Sequence, residues 1–186
     1  MLILASASPR RRELLTQAGF AFSVQPADVM EDPRPNEDPI AYVTRLAREK
    51  AQAVYAQAGG AGVQVLGADT TVTLDNHLLG KPENAQDAAR MLRVLSGRTH
   101  RVVTGVALVT AERTQVAAEV TAVEFLTLSN QEIERYIATG EPMDKAGAYG
   151  IQGYAARWIP RIHGCYFNVV GLPISLVATL IEAGSQ

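Results

Sequence analysis

Three consecutive arginines, Arg10, Arg11 and Arg12, follow Ser8 and Pro9 near the start of the chain. Ser8 is a favourable helix N-cap and Pro9 suits the first helical position, so the arginines are predicted to lie in the first turn of a helix. That turn has unpaired N–H donors and a partial positive charge, which further cations oppose. A phosphate group matches both the N–H donors and the guanidinium groups. The segment therefore favours an anion site, and the alternative is a solvated surface face.

A second set of residues combines carboxylates with lysines. Asp69 follows the apolar run Val63–Ala68, which predicts a carboxylate at the end of a buried strand, while Glu31 lies in a proline-rich loop. Lys50 and Lys81 are expected near strand or helix ends. Carboxylates can bind a hard divalent cation and accept a proton from water, and lysines neutralise charge that grows on phosphate oxygens. Hydrolysis of a polyphosphate needs both classes together.

Each of these residues, taken singly, also has a structural explanation. Asp69 could form a turn, Glu31 could be a solvated loop residue, and Lys50 could be an exposed helical lysine. Several other site types are excluded by the sequence, which has no Gly-Lys-Ser/Thr phosphate loop and no Gly-x-Ser-x-Gly serine elbow. The glycines of residues 147–153 lack dinucleotide-binding spacing, and the three histidines lack metal-ligand spacing, which favours structural roles for them.

Helices and strands alternate along the chain, and they must position these residues. The hydrophobic periodicity and capping residues predict helices from Ser8 to Gly19, from Asp38-Pro39 onward, at Asn84–Leu95, from the capping box at Ser129 to Gly140, and at Pro173–Ala183. Strands are predicted at Leu2–Leu4, Ala21–Gln25, Val63–Ala68, Thr71–Leu74, Arg101–Thr110, Gln115–Thr127, Trp158–Ile162 and Tyr166–Val170. The two longest runs, joined by a short turn, are expected to be antiparallel neighbours. The pattern predicts an α/β fold with a mixed, partly antiparallel sheet flanked by helices.

Length and composition narrow the class of protein. A chain of 186 residues suits one domain, which we expect to span residues 1–186. The single cysteine, Cys165, excludes an intramolecular disulfide and fits a reducing compartment. A net charge of −2 provides no general attraction to nucleic acid. No apolar run is long enough for a membrane span or a signal peptide, so we expect a cytoplasmic protein with no membrane partner.

Eight segments, in order along the chain, carry a resemblance to a known family: Ala5–Arg11, Glu31, Leu46–Ala51, Gly67–Thr70, Gly80–Pro82, Leu95–His100, Asp144–Tyr149 and Val169–Pro173. From nearly end to end the chain resembles the Maf family of nucleoside triphosphate pyrophosphatases. The resemblance implies an ITPase-like α/β fold with two lobes around a cleft, a cytoplasmic homodimer, and hydrolysis of a nucleoside triphosphate to monophosphate and pyrophosphate with Mg²⁺ or Mn²⁺.

The resemblance also implies roles for individual residues. Asp69 would be the catalytic proton acceptor, and Glu31 would act with it in catalysis by sharing the positioning of the metal or of the water. The residues that would bind the triphosphate are Ser8, Arg11, Lys50 and Lys81. The form of residues 149–153 resembles the subgroup that acts on dTTP and UTP, in which the specificity positions correspond to Arg10, Thr70 and Gln152. A glutamine amide is complementary to the N3–H and adjacent carbonyl of uracil or thymine.

Two other readings of the same residues stay open at this stage. One is a non-catalytic nucleotide or nucleic-acid binding regulator of cell division, although the acidic net charge argues against nucleic acid. The other is a monophosphatase or phosphotransferase, which would release orthophosphate or need an acceptor. The identity of the phosphate product separates the three.

Overall fold

The computed structural model describes residues 1–183, in which helices and strands alternate as the sequence predicts. The strands are β1 Leu2–Leu4, β2 Phe22–Val24, β3 Gln64–Leu74, β4 His77–Leu79, β5 Thr99–Val109, β6 Thr114–Glu124 and β7 Arg161–His163. The α-helices are α1 Pro9–Gln17, α2 Pro39–Ala58, α3 Ala85–Leu95, α4 Asn130–Ala138, α5 Tyr166–Val170 and α6 Ile174–Ala183. Three short 3₁₀ helices are Glu141–Asp144, Ala146–Ala148 and Tyr154–Trp158.

The strands form one mixed sheet. Hydrogen-bonded neighbours follow the order β2-β1-β3-β5-β6-β7, and β4 pairs with β3. β1 runs parallel to both β2 and β3, whereas β4 and β7 run antiparallel to β3 and β6. The turn between β5 and β6 is closed by a 2.9 Å hydrogen bond from Thr110 N–H to Arg113 O, and so short a connection permits only an antiparallel pair. The predicted mixed sheet flanked by helices is confirmed.

The helix starts follow from the capping residues read in the sequence. Ser8, Asp38 and Asn84 each accept a backbone N–H with the side chain at the start of α1, α2 and α3. At α4 the reciprocal capping box between Ser129 and Glu132 is complete. These caps satisfy N–H donors that have no partner inside the helix, which explains why the helices begin where they do.

Three of the strand predictions differ from the structure. The strands predicted at Val63–Ala68 and Thr71–Leu74 are one continuous strand, β3, so Asp69 does not lie at a strand end; β4 pairs with the last residues of β3. Residues 166–170, predicted as extended, form α5 instead. The strand predicted at Trp158–Ile162 begins only at Arg161, because Trp158 ends a 3₁₀ helix. Asn168 of α5 is fully buried and donates from Nδ2 to Val102 O at 3.0 Å, so a tertiary contact overrides the local preference of a β-branched and aromatic run.

The chain divides into two compact units, each built from separate chain segments. The first consists of Met1–Thr70, Thr104–Glu119 and the described residues from Gly171 onward. Its core brings α2 onto the strands, and its buried members are Ile3, Ala5, Ala47, Ala51, Val54, Val65, Ala107 and Val109. The expectation of a single domain over residues 1–186 stays a prediction.

The second unit consists of Thr71–Val103 and Val120–Val170. Its core is rich in aromatic side chains, with Phe125 against His100 at 4.9 Å between ring centroids and Trp158 against Tyr136 at 5.1 Å. In the part of the chain that the structure describes, no helix has the length and apolar character of a membrane span.

Candidate functional site

Glu31, Lys50 and Asp69 meet in the first unit. The ammonium nitrogen of Lys50 lies 2.7 Å from Oδ1 of Asp69 and 2.6 Å from Oε1 of Glu31. Lys50 and Asp69 are buried, at 8% and 7% exposure, whereas half of the Glu31 side chain is exposed. The structural alternatives of an exposed lysine and a turn-forming aspartate are therefore wrong, and two carboxylates converge on one cation that solvent can approach from the Glu31 side.

Close contact between α2 and the sheet brings Lys50 to Asp69. A Cβ atom at Gly67 of β3 would overlap the carbonyl oxygen of Ala47, and one at Gly105 of β5 would overlap the backbone of Val43. Side chains two residues apart on a strand share a face, as do side chains three residues apart on a helix. Asp69 follows Gly67 by two residues and Lys50 follows Ala47 by three, so the glycines allow the helix to come close enough for the two charges to pair.

The loop that carries Glu31 is fastened to the same helix. Tyr42 donates its hydroxyl to the carbonyl oxygen of Glu31 at 2.8 Å. Arg45 forms two bonds to Glu37, at 2.6 and 2.7 Å, and one to the carbonyl of Asp32 at 3.1 Å. The buried pair with Arg45 lowers the pKa of Glu37 to about 2. Helix α2 therefore carries Lys50 itself, and its Tyr42 side chain holds the backbone of Glu31 in place.

Opposing influences act on the Asp69 carboxyl. Burial raises its pKa, and the nearby charges of Lys50 and Arg11 oppose that rise. A buried carboxylate without such partners would take up a proton instead of remaining charged. The two cations therefore favour the ionised form that a proton acceptor or metal ligand needs.

Arg11 is not a solvated surface residue, and most of the N–H donors of its guanidinium are hydrogen-bonded inside the protein. Its Nε donates to Gly171 O at 2.9 Å and its Nη1 to Ala68 O at 2.9 Å and Ser6 Oγ at 3.1 Å. Its Nη2 donates to Thr70 Oγ1 at 3.0 Å. Four of the five donors of a guanidinium are thus used within residues 1–183, and Arg11 ties the start of α1 to β3 beside Asp69.

The remaining predicted residues of the first unit surround Arg11. Ser8 caps α1 by accepting Arg11 N–H at 3.4 Å, while Arg10 is partly buried one residue earlier. Thr70 shares a 2.9 Å hydrogen bond with Thr104 Oγ1. Seven of the nine predicted site residues thus belong to one compact unit: Ser8, Arg10, Arg11, Glu31, Lys50, Asp69 and Thr70.

Lys81 and Gln152 belong to the second unit, and both are exposed. Lys81 follows β4, where the carbonyl of Gly80 accepts Gly147 N–H at 3.0 Å. Gln152 lies in the loop between two 3₁₀ helices. In the same unit, His100 is 1% exposed with Nε2 2.7 Å from the Tyr149 hydroxyl, and burial lowers its pKa to about 4, which fits the predicted structural role.

Sequence reasoning missed several residues that hold the site together. Ser6 accepts both Arg11 Nη1 and, at 3.2 Å, the N–H of Ser8. Thr104 and the carbonyl of Gly171 support Thr70 and Arg11 from remote parts of the chain. Ser6 and Gly171 lie inside segments that carry the family resemblance, but only the folded chain shows what they contact.

A pair of carboxylates, a lysine between them and a neighbouring arginine can together bind a divalent cation and an anion. Among the described residues, no three His, Cys, Asp or Glu side chains converge in the manner of a closed metal site. Two carboxylates with one exposed side are instead typical of Mg²⁺ sites, which leave positions for water and substrate phosphates.

Comparisons with known proteins agree with this chemistry. A family model described as Maf-like protein matches residues 1–184. A protein of Koribacter versatilis (strain Ellin345), named dTTP/UTP pyrophosphatase, is 56% identical over 181 residues, covering 97% of this chain and 93% of that protein. A protein of Thermococcus onnurineus (strain NA1) with the same name is 50% identical over 184 residues. The match covers 99% of this chain and 98% of that protein.

A solved structure, that of the Staphylococcus aureus Ham1 protein, has a similar fold. The two structures superpose with a TM-score of 0.51, and the match covers 85% of this chain and 79% of that chain. The sequence identity is 14%, so the likeness concerns the fold alone.

Proposed function

The chain belongs to the Maf family, and on that premise we propose that it is a nucleotide pyrophosphatase that hydrolyses dTTP and UTP to the monophosphate and pyrophosphate. The observation that carries the proposal is the buried Asp69 carboxylate, held by Lys50 at 2.7 Å beside the second carboxylate of Glu31. Relatives that are 50–56% identical over nearly the whole chain have the corresponding name. Nucleotides with a modified pyrimidine fall within the same proposal.

The carboxylates of Glu31 and Asp69 fit a divalent metal. Each has an oxygen within 2.7 Å of the ammonium nitrogen of Lys50. This nitrogen is a cation held between two carboxylates, as a metal ion would be. Carboxylate oxygens suit Mg²⁺ and Mn²⁺, so these two residues would hold the metal. When bound, the metal would polarise phosphate oxygens and spread the charge of the departing pyrophosphate. Like charges repel, so Lys50 would then be available to the triphosphate.

Asp69 is the proton acceptor in this proposal. The oxygen of water forms a bond to the α-phosphorus while its proton passes to Asp69. The bond from the α-phosphorus to the bridging oxygen breaks, and pyrophosphate leaves with the electron pair. Ser8, Arg11, Lys50 and Lys81 would bind the triphosphate, with Arg11 contributing the one donor that its internal bonds leave over.

Base selection is assigned to Arg10, Thr70 and Gln152. The exposed amide of Gln152 offers an acceptor and two donors, which match the N3–H and a carbonyl of uracil or thymine. Thr70 Oγ1 accepts a hydrogen bond from Arg11 Nη2 and shares one with Thr104 Oγ1, so its oxygen is held in place beside Arg11.

A homodimer in the cytoplasm completes the proposal. Both properties are implied by the family resemblance, and a lone cysteine fits a reducing compartment. The net charge of −2 is why neither nucleic acid nor an anionic membrane is included among the partners.

Product analysis tests the proposed function. The protein is incubated with UTP and each of the four dNTPs in Mg²⁺ or Mn²⁺, with a chelator control, and pyrophosphate is separated from orthophosphate. We expect pyrophosphate and the monophosphate, formed fastest from dTTP and UTP. Orthophosphate would instead identify a monophosphatase or phosphotransferase, and nucleotide binding without any product would identify a non-catalytic regulator.

A further inference from the structure

Both ends of the loop that carries Gln152 are hydrogen-bonded to one carboxylate–phenol pair. Gly150 N–H donates to the hydroxyl of Tyr136 at 3.2 Å, and Tyr154 N–H donates to Oε2 of Glu141 at 3.2 Å. The Tyr136 hydroxyl in turn donates to Oε1 of Glu141 at 2.9 Å. The Glu141–Tyr136 pair thus connects the two backbone groups that bracket Gln152.

The loop also packs directly against this pair. A Cβ atom at Gly153 would overlap the carboxylate of Glu141, and one at Gly150 would lie 2.8 Å from Cε of Lys145. Lys145 is itself tied to the Glu141 carbonyl at 2.6 Å. The two glycines therefore let the loop approach so closely that its backbone has little room to shift.

Tyr136 is a rigid part of the pair. It is fully buried, its ring stacks on that of Tyr154 at 5.6 Å, and it meets the edge of Trp158 at 5.1 Å. Burial and the neighbouring Glu141 raise the pKa of the Tyr136 phenol, so the hydroxyl keeps its proton and can donate. None of these contacts contributes a charge to the proposed phosphate site.

Fixing the backbone beside Gln152 matters because an amide alone selects poorly. A 180° rotation exchanges its donor and acceptor ends, so the amide can pair with more than one base edge. The position of the loop backbone then decides how large a base the Gln152 amide can contact. A loop already fixed before binding also avoids the entropy cost of ordering the loop.

We propose that Glu141 and Tyr136 are positioning residues for base selection, which set the reach of the Gln152 amide and thereby favour pyrimidine over purine nucleotides. The inference rests on the proposed function and concerns the selectivity of that same site. Neither residue touches the reacting phosphates in this proposal.

The experiment compares kcat and KM for dTTP, dCTP, dATP and dGTP in Tyr136→Phe, Glu141→Gln and Glu141→Ala. Tyr136→Phe keeps the ring and removes only the hydroxyl, while Glu141→Gln keeps an acceptor for Tyr154 N–H. Tyr166→Phe, an exposed phenol on α5, is the matched control. Backbone amide exchange at residues 150 and 154 reports on the loop without any substrate.

We expect Tyr136→Phe to speed amide exchange at residue 150 and to lower the dTTP-to-dATP ratio of kcat/KM about fivefold to tenfold, mainly through KM for dTTP. Glu141→Gln should retain more selectivity than Glu141→Ala, and Tyr166→Phe should match the parent protein. Unchanged ratios in folded variants whose amides exchange faster would overturn the inference while leaving the proposed function intact. A parent protein that forms no pyrophosphate would instead refute the proposed function.

Discussion

Two buried polar clusters, one in each unit, differ in how their ionisable side chains are accommodated away from solvent. In the first unit, the Asp69 carboxyl lies 2.7 Å from the ammonium of Lys50, which also contacts the half-exposed carboxyl of Glu31. In the second, His100 lies 2.7 Å from the Tyr149 hydroxyl and packs against the ring of Phe125, and burial lowers its pKa to about 4. One cluster pairs acidic groups with a basic one, and the other favours a neutral imidazole.

Under the proposed function, the first cluster is a site for chemistry and the second is a structural contact. A buried ion pair stabilises a fold little, because removing its charges from water offsets their attraction. The retention of two carboxylates around one lysine therefore points to a use other than stability. A neutral imidazole packed among rings contributes apolar contact and one hydrogen bond to the fold.

The strongest test of this comparison removes charge from the first cluster. Asp69→Asn keeps the size of the side chain but cannot accept a proton, so we expect kcat to fall about 10³-fold with little change in nucleotide affinity. Steady-state kinetics and a separate binding titration measure the two quantities. Asp28→Asn, in an exposed loop of the same unit, is the control. Near-normal turnover would remove Asp69 from the role of proton acceptor.

The neutral cluster is tested through the pH dependence of stability. Because the pKa of His100 is about 4 in the folded chain and 6.5 in the unfolded chain, the unfolded state binds more protons between these values. Stability contributed by neutral His100 is present above pH 6.5 and falls as the pH drops towards 4, by up to about 3 kcal/mol. Urea unfolding from pH 4 to 7 should show a shallower dependence in His100→Gln. Parallel curves would contradict a buried neutral imidazole.

Arg11 differs from both clusters, because it is a charged group whose hydrogen bonds hold distant parts of the chain together. Arg11→Lys replaces a planar fork by a point charge and cannot keep all four bonds, so we expect a loss of about 2 kcal/mol in the free energy of unfolding. Denaturant unfolding measures it, with Arg12→Lys on the exposed side of the same helical turn as the matched control. Equal stabilities would show that the guanidinium serves a ligand instead.

Local signals in the sequence predicted much of the fold. Ser8, Asp38 and the Ser129–Glu132 box marked helix starts because a capping side chain acts on N–H groups within three residues. The antiparallel neighbours β5 and β6 followed from two long strand-like runs with a short turn between them. These features depend on adjacent residues, which a sequence displays directly.

Features set by distant contacts were harder to predict. Asp69 was expected at a strand end, but pairing with β4 extends β3 beyond it. α5 forms where its residues favour a strand, since Asn168 bonds to the remote carbonyl of Val102. For the site, the residue types were identified from the sequence, whereas the use of Arg11 donors on Gly171 and Ala68 depends on chain segments that only folding brings together.

The glycines at 67 and 105 have a consequence for how this protein would tolerate substitution. A single added methyl group at either position would push α2 outward and carry Tyr42, Arg45 and Lys50 with it. Every ionisable group would still be present, and the chain could still fold. Inactive variants would therefore arise at two positions that have no functional group at all, and a survey confined to charged residues would overlook them.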